Sequence, residues 1–107
     1  MRTDLLFHAL ADATRRDIIR RTLLRPSSLS TLAAHYPMSF AAVQKHVAVL
    51  ERAGLVTKDR VGRRKLVRTN EEGLAVARRL LDRYEELWRG RIDRMDHIIA
   101  TSKETDP

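Results

Sequence analysis

The chain has 107 residues, 43% of them hydrophobic, with 21 Lys and Arg against 14 Asp and Glu and a net charge of +7. That suffices for one domain with one modest core, and the chain is too apolar to be disordered. The absence of cysteine excludes disulfides, cysteine-ligated zinc fingers and thiol nucleophiles.

A short helix is expected over Asp4–Leu10, where Leu5, Leu6, Phe7 and Leu10 are apolar. Asp12 is placed to cap a second helix, its carboxylate accepting from backbone amides two or three residues on. That helix turns Ile18, Ile19, Thr22 and Leu23 inward and Arg15, Arg16, Arg20 and Arg21 outward, and Arg25-Pro26-Ser27 ends it. A third helix is expected over Leu29–His35, burying Leu29, Leu32 and Ala33. Pro37 then pushes Tyr36 out of the helical region. Ser39 caps a fourth helix reaching about Ala53, with Val43, Val47 and Leu50 in one narrow arc. Ala41, Lys45, Ala48 and Arg52 lie on its opposite side, Gln44 lies at the flank, and Gly54 is a natural stop. Leu55–Arg60 and Arg64–Thr69, joined through Val61-Gly62-Arg63, read as a β-hairpin.

Asn70 caps a final long helix with Glu71 and Glu72 in its first turn, where carboxylates suit the dipole. Its apolar stripe is Leu74, Ala77, Leu81, Tyr84, Trp88, Ile92, Met95 and Ile99, widened by Leu80, Leu87 and Ile98. A stripe of that length exceeds what the small domain before it can cover, which marks an association surface. The expected layout is one domain over residues 1–100, including a dimerisation helix over 71–100, followed by a flexible tail over 101–107. No apolar run approaches a membrane span and the Met1-Arg2-Thr3-Asp4 start lacks a signal-peptide core, so a cytoplasmic protein with no membrane partner is expected.

The positive charge is concentrated. Residues 39–70 carry eight basic and two acidic side chains, whereas residues 71–99 carry six and seven. Such a segment is the footprint of a polyanion binder. Two helices joined by a tight turn, the second with small outward side chains, can lay that second helix in the major groove. Ser39 and the free amides of the first turn would hold a phosphate, Gln44 would pair with adenine, and Lys45 would reach guanine or a phosphate. Phe40 would meet a thymine methyl, while Ala41 and Ala42 let the backbone approach. His46 faces partly inward, in a structural or phosphate-contacting role. Arg60, Arg63 and Arg64 around Gly62 would reach a neighbouring minor groove or backbone, and Lys58, Lys65 and Arg68 would add phosphate contacts.

Three segments together resemble the ArsR/SmtB-type repressors. Ala9-Leu10-Ala11-Asp12-Ala13-Thr14-Arg15-Arg16-Asp17-Ile18-Ile19 resembles their opening signature. The run from Ser39-Phe40-Ala41-Ala42-Val43-Gln44-Lys45-His46 through Leu50 to Gly54-Leu55-Val56 resembles their DNA-reading helix and the step into the wing. Val61-Gly62-Arg63-Arg64 resembles the wing tip. The resemblance covers about residues 5–99. It implies a mainly α winged helix-turn-helix fold with a small β-hairpin wing, and a homodimer through the first and last helices. Leu5, Leu6, Leu74, Leu81, Tyr84, Trp88, Ile92, Met95 and Ile99 would form that interface. It further implies repression from an inverted repeat in double-stranded DNA, often in the protein's own promoter, with release by an inducer of unidentified chemistry.

The chain departs from the family in places. Ser27–Leu32 lacks the Cys-x-Cys pair by which many members sense metals, and Tyr84 follows Asp82 where a metal-binding His would be wanted. Pro37 replaces a usual glycine and Ala13 a usual proline. No metal or other cofactor is therefore expected, Asp93 and His97, one turn apart, being the nearest to a ligand pair. No catalytic motif is present, so no enzymatic activity is expected. The competing reading is a basic helical dimerisation or adaptor module that binds an acidic protein or RNA. Such a module has no need of the capped Ser39 helix, its small outer residues and a Gly-tipped basic hairpin together.

Overall fold

A computed structural model describes residues 3–105, with side chains through residue 101. The elements in order are α1 (Thr3–Leu10), α2 (Ala13–Leu24), β1 (Ser27–Ser28), α3 (Leu29–Ala33), α4 (Phe40–Arg52), β2 (Val56–Val61), β3 (Arg64–Thr69) and α5 (Glu71–Thr105). The chain divides into two compact units, one ending at Ala75 and the other starting at Val76.

Side-chain caps set the helix starts. Asp12 Oδ2 accepts from the Arg15 amide at 3.0 Å, Ser28 Oγ from Thr31 at 3.2 Å and Ser39 Oγ from Ala42 at 3.1 Å. Each satisfies a donor that the helix leaves without an internal acceptor. Gly54 follows α4 at φ 79°, the left-handed conformation that lets Leu55 turn back and donate to the Leu50 carbonyl at 2.9 Å.

The core of the first unit lies between the helices and a three-stranded antiparallel sheet of order β1-β3-β2. Leu6, Ile18, Leu32, Val43, Val47, Leu50, Leu55, Val56 and Val67 are its largest fully buried side chains. Each contributes about 1.5–3 kcal/mol through the apolar surface it removes from water. A buried hydroxyl pair joins helix to sheet: Thr22 donates to the Ile18 carbonyl at 2.9 Å, and the Thr69 hydroxyl lies 2.7 Å from that of Thr22.

Several expectations are corrected. Arg15 points inward, not outward: it is only 9% exposed, and its Nε and Nη2 donate to the carbonyls of Ala9 and His8 at 2.8 and 2.9 Å. Arg16 adds a bond to the Leu10 carbonyl at 2.8 Å. Both arginines thus satisfy the orphan carbonyls at the end of α1, where positive charge also suits the dipole. Leu23 is exposed instead of buried. Helix α3 stops at Ala33, two residues short of His35, because His35 and Tyr36 bond back three residues in tight turns, to Leu32 and Ala33. Ser27 and Ser28 form a short third strand by pairing with Val67 and Leu66. Helix α5 runs to Thr105, and residues 106 and 107, the end of the expected tail, lie outside the described residues. Among the described residues no helix is long and apolar enough to cross a membrane.

The start of α5 is locked to the turn after α4. The Asn70 amide donates to the Leu55 carbonyl at 2.8 Å, and its side-chain Nδ2 to the Gly54 carbonyl at 2.9 Å. Gly73 sits one turn later, and a β-carbon there would run into the Gly54 carbonyl. Gly73→Ala is therefore expected to destabilise the chain by about 1–3 kcal/mol, the usual cost of overpacking. Urea denaturation of parent and variant checks this; an unchanged midpoint would mean that the α5 start is not held against Gly54.

Candidate nucleic-acid interface

Helix α4 can take only one rotation about its axis. Val43, Val47 and Leu50 are fully buried, which drives the opposite side out. Ala41, Gln44 and Lys45 are exposed on that side, with Arg52 exposed further along. Phe40 is also exposed, at 46%. With Ser39 Oγ committed to Ala42 and the Ser39 carbonyl accepting from Val43, the amides of Phe40 and Ala41 have no acceptor within the helix. They and the positive end of the dipole form a place for an anion.

His46 is tied down from the other side. Arg15 Nη1 lies 3.2 Å from His46 Nδ1, and Asp12 Oδ2 lies 3.8 Å from the same nitrogen. A guanidinium has no acceptor, so Arg15 donates, Nδ1 accepts, and the ring carries its proton on Nε2. One buried arginine therefore joins the end of α1 to the exposed helix. The Asp12 carboxyl is held below the usual carboxylate range, chiefly by the Arg15 amide.

The hairpin has a two-residue tip. Val61 pairs with Arg64, leaving Gly62 and Arg63 as the loop, with Gly62 at φ 63°. Glycine at positive φ in the first loop position matches the twist of the two strands. Arg60, Arg63, Arg64 and Lys65 are all exposed there. Lys58 sits lower on the hairpin, opposite Val67, and lies 3.7 Å from Glu51. Arg68 lies 3.2 Å from Asp59. Carboxylates thus offset the two basic groups nearest the base of the hairpin. Among the described residues Lys45, Arg52, Arg63, Arg64 and Lys65 have no acidic partner. The arginines of α2, by contrast, are engaged within the fold: Arg20 and Arg21 both bind Asp17, at 2.7 and 2.8 Å.

Tyr36, in the turn between α3 and α4, was not singled out by its sequence context. Its hydroxyl donates to Asp17 Oδ2 at 2.7 Å and so fastens the turn to α2. The bonds from Tyr36, then Arg20 and Arg21, hold the Asp17 carboxyl well below its ordinary range. Burial, reinforced by Asp17, pushes the Tyr36 hydroxyl up to about 12. A tyrosine 19 residues away leaves no periodic signal, so only the fold brings the pair together.

The residues expected to meet a partner chain divide between the two units. Leu6 is spent in the core of the first unit, only 1% exposed, and so leaves the expected interface; Leu5 and Leu74 are half-buried. In the second unit Leu81, Tyr84, Trp88, Ile92, Met95 and Ile99 are all exposed, Trp88 at 58%. Asp93 and His97 are exposed one turn apart on the same helix, and among the described residues no three His, Asp or Glu side chains form a group that could hold a metal.

No model of a known protein family matches the chain. Individual proteins do. The chain is 40% identical over 81 residues to the HTH-type transcriptional regulator Rv2034 of Mycobacterium tuberculosis, covering 76% of each protein. An ArsR-like transcriptional regulator from Rhodococcus sp. RHA1 superposes with a TM-score of 0.83 at 32% identity, covering 92% of this chain and 90% of that one. The homodimeric winged helix-turn-helix DNA-binding domain of Mb0332 from Mycobacterium bovis, a possible ArsR-family regulator, shares the fold at 22% identity. Its TM-score is 0.63, with 78% of this chain and 77% of that one covered.

The Tyr36 bond gives a pH-dependent test. Because the Asp17 carboxyl is depressed in the folded state, its stabilisation is complete above about pH 4 and is lost as pH falls through the folded value. Tyr36→Phe should cost about 1.5–3 kcal/mol at pH 7, as for a hydrogen bond to a charged group, and the gap to the parent should narrow only at the acid end, once the variant's Asp17, still held by Arg20 and Arg21, takes up its proton. Chemical denaturation at pH 7 reads the cost and titration of Asp17 in both proteins by NMR reads the shift; an Asp17 that titrates alike in parent and variant would contradict the assignment.

Proposed function

The chain belongs to the ArsR family of winged helix-turn-helix DNA-binding transcriptional regulators, and from that premise we propose that it is a repressor that binds an inverted repeat as a homodimer. The observation carrying the DNA contact is the two-sidedness of α4. Three fully buried apolar residues lie on one side, and Ala41, Gln44 and Lys45 lie exposed on the other. Alanine at the groove-facing start lets the helix backbone approach the base edges. Gln44 then reaches the N6 and N7 edge of an adenine, and Lys45 a guanine or a phosphate. Ser39 and Phe40 stand at the helix entry, where the orphan amides meet a backbone phosphate. His46, held at Nδ1 by Arg15, has Nε2–H left as a donor for a phosphate. Arg60, Arg63 and Arg64 at the hairpin tip supply backbone contacts, which position the protein without reading sequence. Lys58 contributes least, being paired with Glu51.

The second copy docks along α5. A helix of 35 residues spans about 52 Å at ~1.5 Å per residue, and its stripe of Leu81, Tyr84, Trp88, Ile92, Met95 and Ile99 stays in water in the single chain. Exposed aromatic and aliphatic side chains in a continuous row favour burial against their own copy. The homodimeric state of the Mycobacterium bovis neighbour supports this reading. A twofold axis then sets two α4 helices about one helical turn of DNA apart, ~34 Å, in successive major grooves.

Three measurements test the parts separately. Gln44→Ala should cost about 1–3 kcal/mol on the best duplex and relax preference at one base position, as read by a panel of single-base variants. Equal affinity of parent and variant across that panel would remove α4 from the groove. Arg63→Ala should weaken binding to all duplexes alike and lower the slope of log K against log salt by about 0.9; an unchanged slope would take the hairpin off the backbone. Trp88→Ala should cost about 2 kcal/mol or more of dimer affinity, as for a central aromatic anchor. Sedimentation equilibrium reads it, and an unaltered dimer would rule out this stripe as the seam.

A further inference from the structure

The end of α2, strand β1 and α3 border an open pocket of about 330 Å³ that no proposed DNA contact uses. Leu24 and Leu32 are its apolar residues. Leu32 has no exposed surface, so the leucine surface open to a ligand is that of Leu24, which is 77% exposed. A leucine so open to water gains when an apolar group covers it. The remaining lining is polar: Arg21, Arg25, Ser27, Thr31 and His35 border the space, and no carboxylate does. Arg21 is held in place by Asp17 at 2.8 Å and lies over the Tyr36 ring, 5.9 Å from its centroid. Arg25 has no acidic partner among the described residues.

An anion without an apolar body would leave Leu24 in water, and an apolar molecule without charge would leave Arg25 unmatched. At ~30 Å³ per water-sized group, the space takes about ten heavy atoms, at the small end of ligand pockets. We propose that this pocket binds a small organic carboxylate with a compact apolar body, and that its occupancy alters DNA affinity through α3. Helix α3 packs directly on α4, while neither α4 nor the β2–β3 hairpin lines the pocket. A ligand seated there shifts the support of the reading helix without competing for the groove. This regulatory half rests on the DNA-binding reading above; the binding half does not.

The test is a titration of the full-length ¹⁵N-labelled chain with benzoate, its neutral isostere benzamide, and inorganic phosphate, followed by amide shifts. Benzoate should give saturable shifts that are largest over residues 21–35 and extend more weakly into α4, and benzamide should bind at least about tenfold more weakly, since a charge-assisted bond is lost. Arg25→Ala should weaken benzoate by the same factor. Leu24→Ser, at a position already exposed, should weaken it severalfold with the fold intact. Absence of saturation, an unaffected Arg25→Ala variant, or phosphate binding as tightly as benzoate would overturn the site; the last would reveal a bare anion site suited to a DNA phosphate. In a second arm, saturating benzoate should change duplex affinity at least about threefold in the parent and not in Arg25→Ala. An unchanged affinity with benzoate bound would overturn the regulatory half alone. Failure to bind any duplex without benzoate would instead strike the DNA-binding reading and leave the site standing.

Discussion

Val43, Val47 and Leu50 have no exposed surface, and that burial fixes how α4 can sit. Rotating the helix would put three aliphatic side chains into water, at about 1.5–3 kcal/mol each. The exposed row of Ala41, Gln44 and Lys45 is therefore a consequence of packing on the other side. The Ser39 cap fixes where the helix begins, and the Tyr36–Asp17 bond and the Arg15–His46 contact tie it to α2. Each fastens a different part of α4: its start, the turn before it and its middle.

The same bonds explain where the net charge goes. Arg15 and Arg16 bind the last carbonyls of α1, and Arg20 and Arg21 bind Asp17. These positive groups serve the fold. The basic groups at the hairpin tip and on α4 lack such partners, so the field that an approaching polyanion meets is concentrated there. Lys58 and Arg68 mark the boundary, since nearby Glu51 and Asp59 offset them. Within the first unit, the exposed side of α4 and the hairpin tip thus carry a group of basic residues that no carboxylate offsets among the described residues, and Arg25 is a separate one.

Much of this was legible in the chain itself, for definite physical reasons. A helix seam repeats every three or four residues, so Val43, Val47 and Leu50 announced both the helix and its hidden side. Asp12, Ser39, Gly54 and Gly62 act within a few residues of their own position, and local chemistry is readable locally. Arg15 was not, because periodicity alone sends an arginine to solvent; the carbonyls that draw it inward lie at the end of another helix. Strand β1 escaped because Ser27 and Ser28 have no strand character of their own and acquire it only by pairing with β3. The anchor at Tyr36 depends on a contact between segments 19 residues apart; the pocket beside Leu24 is lined by one stretch, residues 21–35, but no periodicity or motif in it announces a cavity.

The most direct test of the groove-reading helix and its twofold partner is selection of bound duplexes from a random pool, using the unmodified chain. The account predicts a consensus of two inverted half-sites whose centres lie about one helical turn apart, ~10 base pairs. An enriched pool with no dyad symmetry, or none enriched beyond chance, would contradict it.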